Sequence, residues 1–217
     1  MIFINFKTYE EASGERALSL LKIIEEVAIQ TQIKIIPVVQ TVDLRNAVTN
    51  SKLEIWVQKI DPVSYGANTG FIVPQEIVSA GARGTFLNHS ENKIGNFETL
   101  KESNQKAKEV GLKTLIFCST LEELEENKAI NSDFISYEPP ELVGGEVSVS
   151  SSQPEMILKA AEITKTAGVP LIVGAGINSR EDVRKCMEFG AVGVAVASAV
   201  VKSPNPKEKL IELTEGF

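Results

Sequence analysis

Short apolar runs, many of them β-branched, recur along the chain and alternate with longer segments whose apolar residues follow helical spacing. The run 33–39 is apolar except for Lys34 and Pro37, as is typical of a strand buried on both faces of a parallel sheet. In the segment that follows Ser13, the apolar residues recur every three or four positions, which predicts a helix capped by that serine. Its apolar positions are Ala17, Leu18, Leu21, Ile24 and Val27.

The same reading predicts eight strands and eight helices in strict alternation. The predicted strands are 2–4, 33–39, 53–57, 85–87, 114–117, 134–137, 171–173 and 192–196. The later helices are predicted at 42–48, 74–80, 97–110, 120–129, 154–167, 181–189 and 207–213, most with a capping residue, an initial proline or a terminal glycine. Eight such units without a linker predict a closed (β/α)8 barrel, an α/β fold in which residues 1–217 form a single domain. An open doubly wound sheet is the alternative.

The composition argues against some classes of function. The 217 residues carry a net charge of −7 without any basic block, which argues against nucleic-acid binding, although backbone N–H groups and one lysine can still build a local anion site. Cys118 and Cys186 lie far apart, which fits a reduced cytoplasmic protein without disulfides. Because there is no apolar run of membrane-spanning length and no signal-like start, we expect no membrane association and a cytoplasmic location.

In barrels of this kind the functional side chains gather at the carboxyl ends of the strands. The residues that the predicted strand ends place there are Asn5, Lys7, His89, Glu138, Gly174 to Gly176, Ala197 and Ser198.

Glu138 ends the sixth predicted strand and opens a loop with unusual ends. Pro139 and Pro140 stiffen the front of this loop, whereas Gly144 and Gly145 free its rear, which predicts a lid that closes over a bound molecule. Burial under such a lid would raise the pKa of Glu138 and make it a stronger base. The alternative is an ordinary loop with a solvated glutamate.

His89 is the only histidine in the chain. The residues 90–93 resemble the first turn of a helix, and a helix N-terminus favours the neutral imidazole, which can donate a hydrogen bond to a carbonyl or enediolate oxygen. Lys7, two residues beyond the first strand, would place a fixed positive charge at the barrel mouth. A satisfied core histidine and a surface lysine are the alternative readings.

The loops after the last two strands indicate a phosphate site. Gly174-Ala175-Gly176 lets backbone N–H groups approach an anion, and the residues from Ala197 and Ser198 onward can form a short extra helix that points at the same anion.

Together, the segments Asn5-Phe6-Lys7, 88–92, 137–144 and 174–177 resemble triosephosphate isomerase in its short, archaeal-type form, in the right order and over essentially the whole chain. The resemblance implies a TIM barrel that interconverts dihydroxyacetone phosphate and D-glyceraldehyde 3-phosphate in glycolysis and gluconeogenesis. It also implies that the enzyme needs no metal and no cofactor.

The resemblance assigns roles to the candidate residues. Glu138 is expected to be the catalytic base, His89 the electrophile, and Lys7 the catalytic positive charge. The expected substrate-binding residues are Asn5, Phe6, Lys7, Val143, Gly176, Ala197 and Ser198, of which the last four would hold the phosphate.

Two positions depart from the usual pattern. The archaeal-type form generally has Gly-Thr-Gly after the residue that corresponds to Val143, whereas this chain has Gly144-Gly145-Glu146, and the role of Glu146 is open. Ala197-Ser198 stands where bacterial and eukaryotic forms prefer glycines, though it fits the archaeal type.

The segment from Tyr65 to Gly70 resembles the loop that docks beside a neighbouring subunit's active site in this family. We therefore expect a homo-oligomer, either a homodimer or a homotetramer, with this loop at the interface. A loop exposed to solvent is the alternative.

Two other functions fit a phosphate-binding barrel. A Schiff-base aldolase requires a lysine on an inner strand position, but the sixth strand offers none and the fifth has only Lys113 at its start. A barrel that binds an anion or a protein partner without catalysis would not need Lys7, His89 and Glu138 together.

Overall fold

Eight parallel strands close into a barrel in the computed structural model, which describes residues 1–142 and 148–217. The strands pair in chain order, and the eighth pairs with the first. They are β1 (Ile2–Asn5), β2 (Ile35–Val39), β3 (Trp56–Val57), β4 (Gly84–Leu87), β5 (Lys113–Cys118), β6 (Phe134–Tyr137), β7 (Leu171–Val173) and β8 (Gly193–Val196). Closure confirms the predicted barrel and excludes the open doubly wound sheet.

Ten α-helices occur in the described residues, eight of them near the predicted positions. They are α1 (Glu15–Thr31), α2 (Leu44–Asn50), α3 (Pro74–Ser79), α4 (Phe97–Glu109), α5 (Leu121–Asn127), α6 (Val149–Ser152), α7 (Pro154–Ala167), α8 (Arg180–Glu188), α9 (Ser198–Val201) and α10 (Pro206–Thr214). The short helix α9 occurs where an extra helix was expected, whereas α6 was not predicted.

Most predicted helix caps are present. The side chain of Asn96 accepts a hydrogen bond from the N–H of Thr99, and Ser179 forms a reciprocal capping box with Asp182. The prediction for Ser13 is wrong, because its hydroxyl donates to the carbonyl of Tyr9 instead.

The N-cap of α1 is Gly14, which has a φ of +56°. Its N–H donates to the carboxylate of Asp43, 3.3 Å away, so a contact distant in sequence fixes where the helix begins.

Two element bounds also differ from the prediction. The third strand is shorter than the predicted 53–57. Helix α2 begins two residues later than predicted because Thr41–Asp43 forms a 3₁₀ turn.

The core has two layers. An aliphatic layer fills the space between the barrel and the helices, and an aromatic cluster fills the barrel itself. In that cluster Phe3 packs edge-on against Trp56 with ring centroids 5.1 Å apart, and Gly84 leaves space for the indole, since a Cβ there would lie 2.2 Å from it. Phe117 continues the cluster upward to His89, with centroids 4.8 Å apart. The aromatic side chains inside the barrel therefore lie directly beneath the residues at the carboxyl ends of the strands.

Candidate active site

A cavity of about 230 Å³ opens at the carboxyl ends of the strands. All the residues predicted from the strand ends except Gly174 line this cavity, namely Asn5, Lys7, His89, Glu138, Ala175, Gly176, Ala197 and Ser198. The barrel closure thus brings together residues from five different strand ends, as the sequence pattern predicted.

Glu138 is the first residue after β6, and its N–H donates to the carbonyl of Cys118. Only 8% of its side chain is exposed, and this burial raises its pKa to about 7 even though the charge of Lys7 acts to lower it. Its Oε2 lies 3.2 Å from Nε2 of His89, outside hydrogen-bond alignment, and finds no hydrogen-bond partner among the described residues. A carboxylate with one free oxygen and a pKa near neutrality is suited to remove a proton from a bound molecule.

Both ring nitrogens of His89 have a neighbour. Nδ1 accepts a hydrogen bond from the N–H of Glu91, at 3.2 Å, whereas Nε2 lies farther from Nδ2 of Asn5, at 3.5 Å, so the shorter contact favours the neutral tautomer with its proton on Nε2. Burial lowers the pKa of His89 to about 4, with Glu91 acting to raise it and Lys7 and Lys93 to lower it further. The imidazole is therefore a neutral hydrogen-bond donor at physiological pH.

The expected helix start at 90–93 is wrong. These residues form a single turn, in which the N–H of Asn92 donates to the carbonyl of His89, and α4 begins only at Phe97. Burial and nearby lysines, rather than a helix terminus, keep the ring neutral.

Lys7 is fixed at both its backbone and its side chain. Its φ is +46°, and this left-handed backbone is held by a hydrogen bond from its N–H to Oδ1 of Asn5 and by one from Nε2 of Gln58 to its carbonyl, at 2.8 Å. Its ammonium group lies 2.6 Å from Oε1 of Glu91, and 10% of the side chain is exposed. The positive charge is therefore held in place beside the cavity.

Gln58 was not among the predicted residues. It directly follows β3, whose end at Val57 agrees with the predicted end, so the strand-end rule would have found it if it had also been applied to the third strand.

The opposite side of the cavity is formed by backbone. Ala175 and Gly176 adopt consecutive positive φ angles of 73° and 69°, and together with Ile177 they line the cavity. In residues 1–142 and 148–217, the N–H groups of Gly176, Ile177, Ser198 and Ala199 have no acceptor. Free N–H groups from two adjacent loops can bind an anion such as phosphate.

One of the expected substrate contacts, Phe6, does not line the cavity, and another, Val143, falls outside the described residues. Phe6 is fully buried in the aliphatic layer outside the barrel and does not line the cavity, since consecutive residues at the strand end point to opposite faces. Its expected contact with substrate is therefore corrected to a packing role. Val143 and the rear of the predicted lid, 144–147, lie outside the described residues.

The two cysteines are free and buried, and burial raises the pKa of each thiol to about 12. No helix among the described residues is long and apolar enough to cross a membrane.

Comparison with known proteins yields one family. The family model described as triosephosphate isomerase matches residues 1–214. The chain is 37% identical to the triosephosphate isomerase of Thermoplasma volcanium over 212 residues, covering 98% of both chains. It is 39% identical to that of Saccharolobus solfataricus over 213 residues, covering 98% of this chain and 93% of the relative.

Proposed function

Because the chain belongs to the triosephosphate isomerase family, whose members are intramolecular aldose–ketose isomerases, we propose that it interconverts dihydroxyacetone phosphate and D-glyceraldehyde 3-phosphate through an enediolate. The observation that carries this mechanism is the placement of the buried Glu138 carboxylate, whose Oε2 has no hydrogen-bond partner among the described residues, beside the neutral ring of His89. We further propose that the reaction serves glycolysis and gluconeogenesis in the cytoplasm.

The reaction begins with proton removal. The carboxylate of Glu138 takes a proton from C1 of dihydroxyacetone phosphate, and the electron pair of the broken C–H bond forms the C1–C2 double bond while negative charge develops on O2. The raised pKa of the glutamate brings its basicity closer to that required for a weakly acidic carbon. The same carboxyl group then returns the proton to C2.

His89 and Lys7 stabilise the developing charge. The Nε2–H of the neutral imidazole gives its proton to O2, and Nε2 then takes up the proton of the O1 hydroxyl as the C1 aldehyde forms. The ammonium group of Lys7 supplies a fixed positive charge in a cavity of low dielectric. Asn5 lines the same side, where its side chain holds the backbone of Lys7.

The phosphate is assigned to the backbone side of the cavity. The free N–H groups of Gly176, Ile177, Ser198 and Ala199 are the donors that support this assignment. Val143, at the tip of the proposed lid, would add a further donor when the lid closes, and closure would exclude water from the enediolate.

We also propose a homo-oligomer assembled through the loop from Tyr65 to Gly70. This loop is exposed, yet it is braced by a hydrogen bond from Nδ2 of Asn68 to the carbonyl of Ser64, at 2.7 Å. Tyr65 in this loop is 67% exposed, and Phe71, the residue that follows the loop, is 53% exposed. Exposed aromatic rings in and directly after a braced loop support a contact with a second copy of the chain.

A coupled assay with D-glyceraldehyde 3-phosphate tests the proposed function. Phosphoglycolate, whose carboxylate mimics the enediolate, serves as the inhibitor in the same assay. Glu138→Asp, which withdraws the carboxylate by one methylene, should lower kcat about 100-fold or more and change KM much less. An unchanged kcat would reject Glu138 as the base, and a wild-type protein without isomerase activity would reject the function.

A further inference from the structure

The carboxylate of Asp182 joins two segments on the anion side of the cavity. Its Oδ2 accepts hydrogen bonds from the N–H groups of Asn178, at 3.2 Å, and Ser179, at 3.0 Å, at the end of the loop that follows β7. Its Oδ1 accepts hydrogen bonds from the hydroxyls of Ser148 and Ser150, the latter at 2.8 Å, at the start of α6. Each carboxylate oxygen therefore holds one segment.

A second contact joins the same segments nearer the cavity. The N–H of Val149 donates to the carbonyl of Ala175 at 3.3 Å. The loop 175–178 is thus braced by α6 at one end and by Asp182 at the other. This loop lines the cavity and includes the free N–H groups of Gly176 and Ile177.

Helix capping accounts for only half of these contacts. The capping box of α8 needs Oδ2 of Asp182 and the side chain of Ser179, but it does not involve Oδ1. The hydroxyls of Ser148 and Ser150 add nothing to the cap, yet both are buried and both are directed at this carboxylate.

A buried carboxylate next to an anion site would be costly without many donors. Asp182 is 8% exposed, and burial acts to raise its pKa, but hydrogen bonds from Ser148, Ser179 and Ser150 outweigh that effect and hold the pKa below its ordinary value. The group therefore remains ionised, with its charge taken up by donors, and it does not line the cavity itself.

We propose that Asp182 is a positioning residue for the phosphate site, and that it acts through Ser148 and Ser150 to hold loop 175–178 in the conformation whose free N–H groups bind phosphate. This inference rests on the proposed function. The carboxylate also accepts from the N–H groups of Asn178 and Ser179, so these two groups are not available to the substrate.

The test removes the hydroxyls without touching the cap of α8. Ser148 is also the N-cap of α6, where its hydroxyl accepts from the N–H of Ser151, so Ser150→Ala is the variant that leaves both caps intact. In the combined Ser148→Ala and Ser150→Ala variant, and to a smaller extent in Ser150→Ala alone, we expect KM for D-glyceraldehyde 3-phosphate and the Kd for inorganic phosphate to rise about tenfold, with a smaller change in kcat. Ser150→Thr, which restores a hydroxyl, should recover most of the affinity.

Ser152→Ala is the matched control, because this hydroxyl lies in the same short helix but donates to the carbonyl of Ser148. It should lower Tm by a similar amount and leave the Kd for phosphate within about twofold. If the Ser148 and Ser150 variants lose Tm without losing phosphate affinity, the role is structural and the inference is overturned. If the wild type is active and the variants bind phosphate with wild-type affinity, only this inference is rejected. If the wild type is inactive, the proposed function is rejected as well.

Discussion

A Cβ atom on Gly174 would lie 2.5 Å from Oε1 of Glu138, so the carboxylate occupies space that only glycine leaves open. The backbone of Gly174 cannot easily move away, because its N–H donates to the carbonyl of Tyr137 at the end of the neighbouring strand β6. The φ of Gly174 is not positive, and the requirement for glycine is therefore steric and not conformational.

Gly174→Ala should displace the carboxylate and lower kcat about 100-fold, since an error of about 1 Å in the position of a base is costly. Crowding should also lower the free energy of unfolding by about 1–3 kcal/mol. Steady-state kinetics and thermal unfolding measure both effects. The control is Gly95→Ala, where an added Cβ meets nothing within 4 Å. Wild-type kcat in Gly174→Ala would show that the carboxylate has another productive position.

The tautomer and charge of His89 can be read directly, because the chain has no other histidine. We expect ¹⁵N NMR of the labelled ring to show a neutral imidazole protonated on Nε2 at pH 7, since Nδ1 accepts from Glu91. The ring should remain neutral until the pH approaches 4, whereas an ordinary histidine titrates near 6.5. Titration near 6.5 in the folded protein would contradict the assignment of a neutral electrophile.

Glu138 should make stability depend on pH. Its pKa is about 7 in the folded chain, against 4.5 for the ordinary group, so between these values the folded state binds more protons than the unfolded state. Its contribution to the free energy of unfolding therefore falls as pH rises through this window, by an amount of the order of 3 kcal/mol.

Glu138→Gln removes this titration. The variant should be more stable than wild type at pH 8, and the difference should disappear by about pH 4, the ordinary range of a glutamate. Chemical denaturation at both pH values measures it. Equal stability at pH 8 would show that the carboxylate is better solvated than its burial implies.

The architecture could be read from the sequence because its signals are local. Buried parallel strands are short apolar runs, and helix ends carry their own capping residues, so a strand order and eight units follow without knowledge of contacts. The strand-end rule then located His89 and Glu138, which a closed barrel must bring to one mouth. Neither step requires long-range information.

The features that could not be predicted from the sequence depend on contacts between distant segments. Gly14 replaces Ser13 as the cap because Asp43, almost 30 residues away, accepts its N–H at 3.3 Å. The need for glycine at 174 is set by a side chain on the neighbouring strand end. Phe6 was assigned to substrate by its place in a motif, whereas the direction of its side chain places it in the outer core.

Lys7→Met should weaken binding of phosphoglycolate by about 100-fold or more, because it removes the fixed charge that faces the substrate. It should also raise the pKa of Glu138 further, since the charge of Lys7 acts to lower it. Glu91→Gln is the control, because it removes the charge of the partner while its amide oxygen can still accept a hydrogen bond from the ammonium group of Lys7. Inhibition constants measured by competition distinguish the two variants, and retained inhibition in Lys7→Met would place the electrostatic anchor elsewhere.

Assembly should depend on the tip of the loop 65–70. Thr69 is exposed in the single chain, and a charged side chain there would have to be desolvated at an interface with a second copy. In analytical ultracentrifugation, Thr69→Arg should therefore shift the protein toward the 23.6 kDa mass of one chain, whereas the wild type should have two or four times that mass.

Thr166→Arg, on the exposed side of α7, is the control and should assemble as the wild type does. Because the loop is expected to dock beside the active site of the neighbouring copy, the dissociated variant should also lose activity. A wild-type protein that is active as a monomer would remove the assembly proposal while leaving the chemistry of the cavity intact.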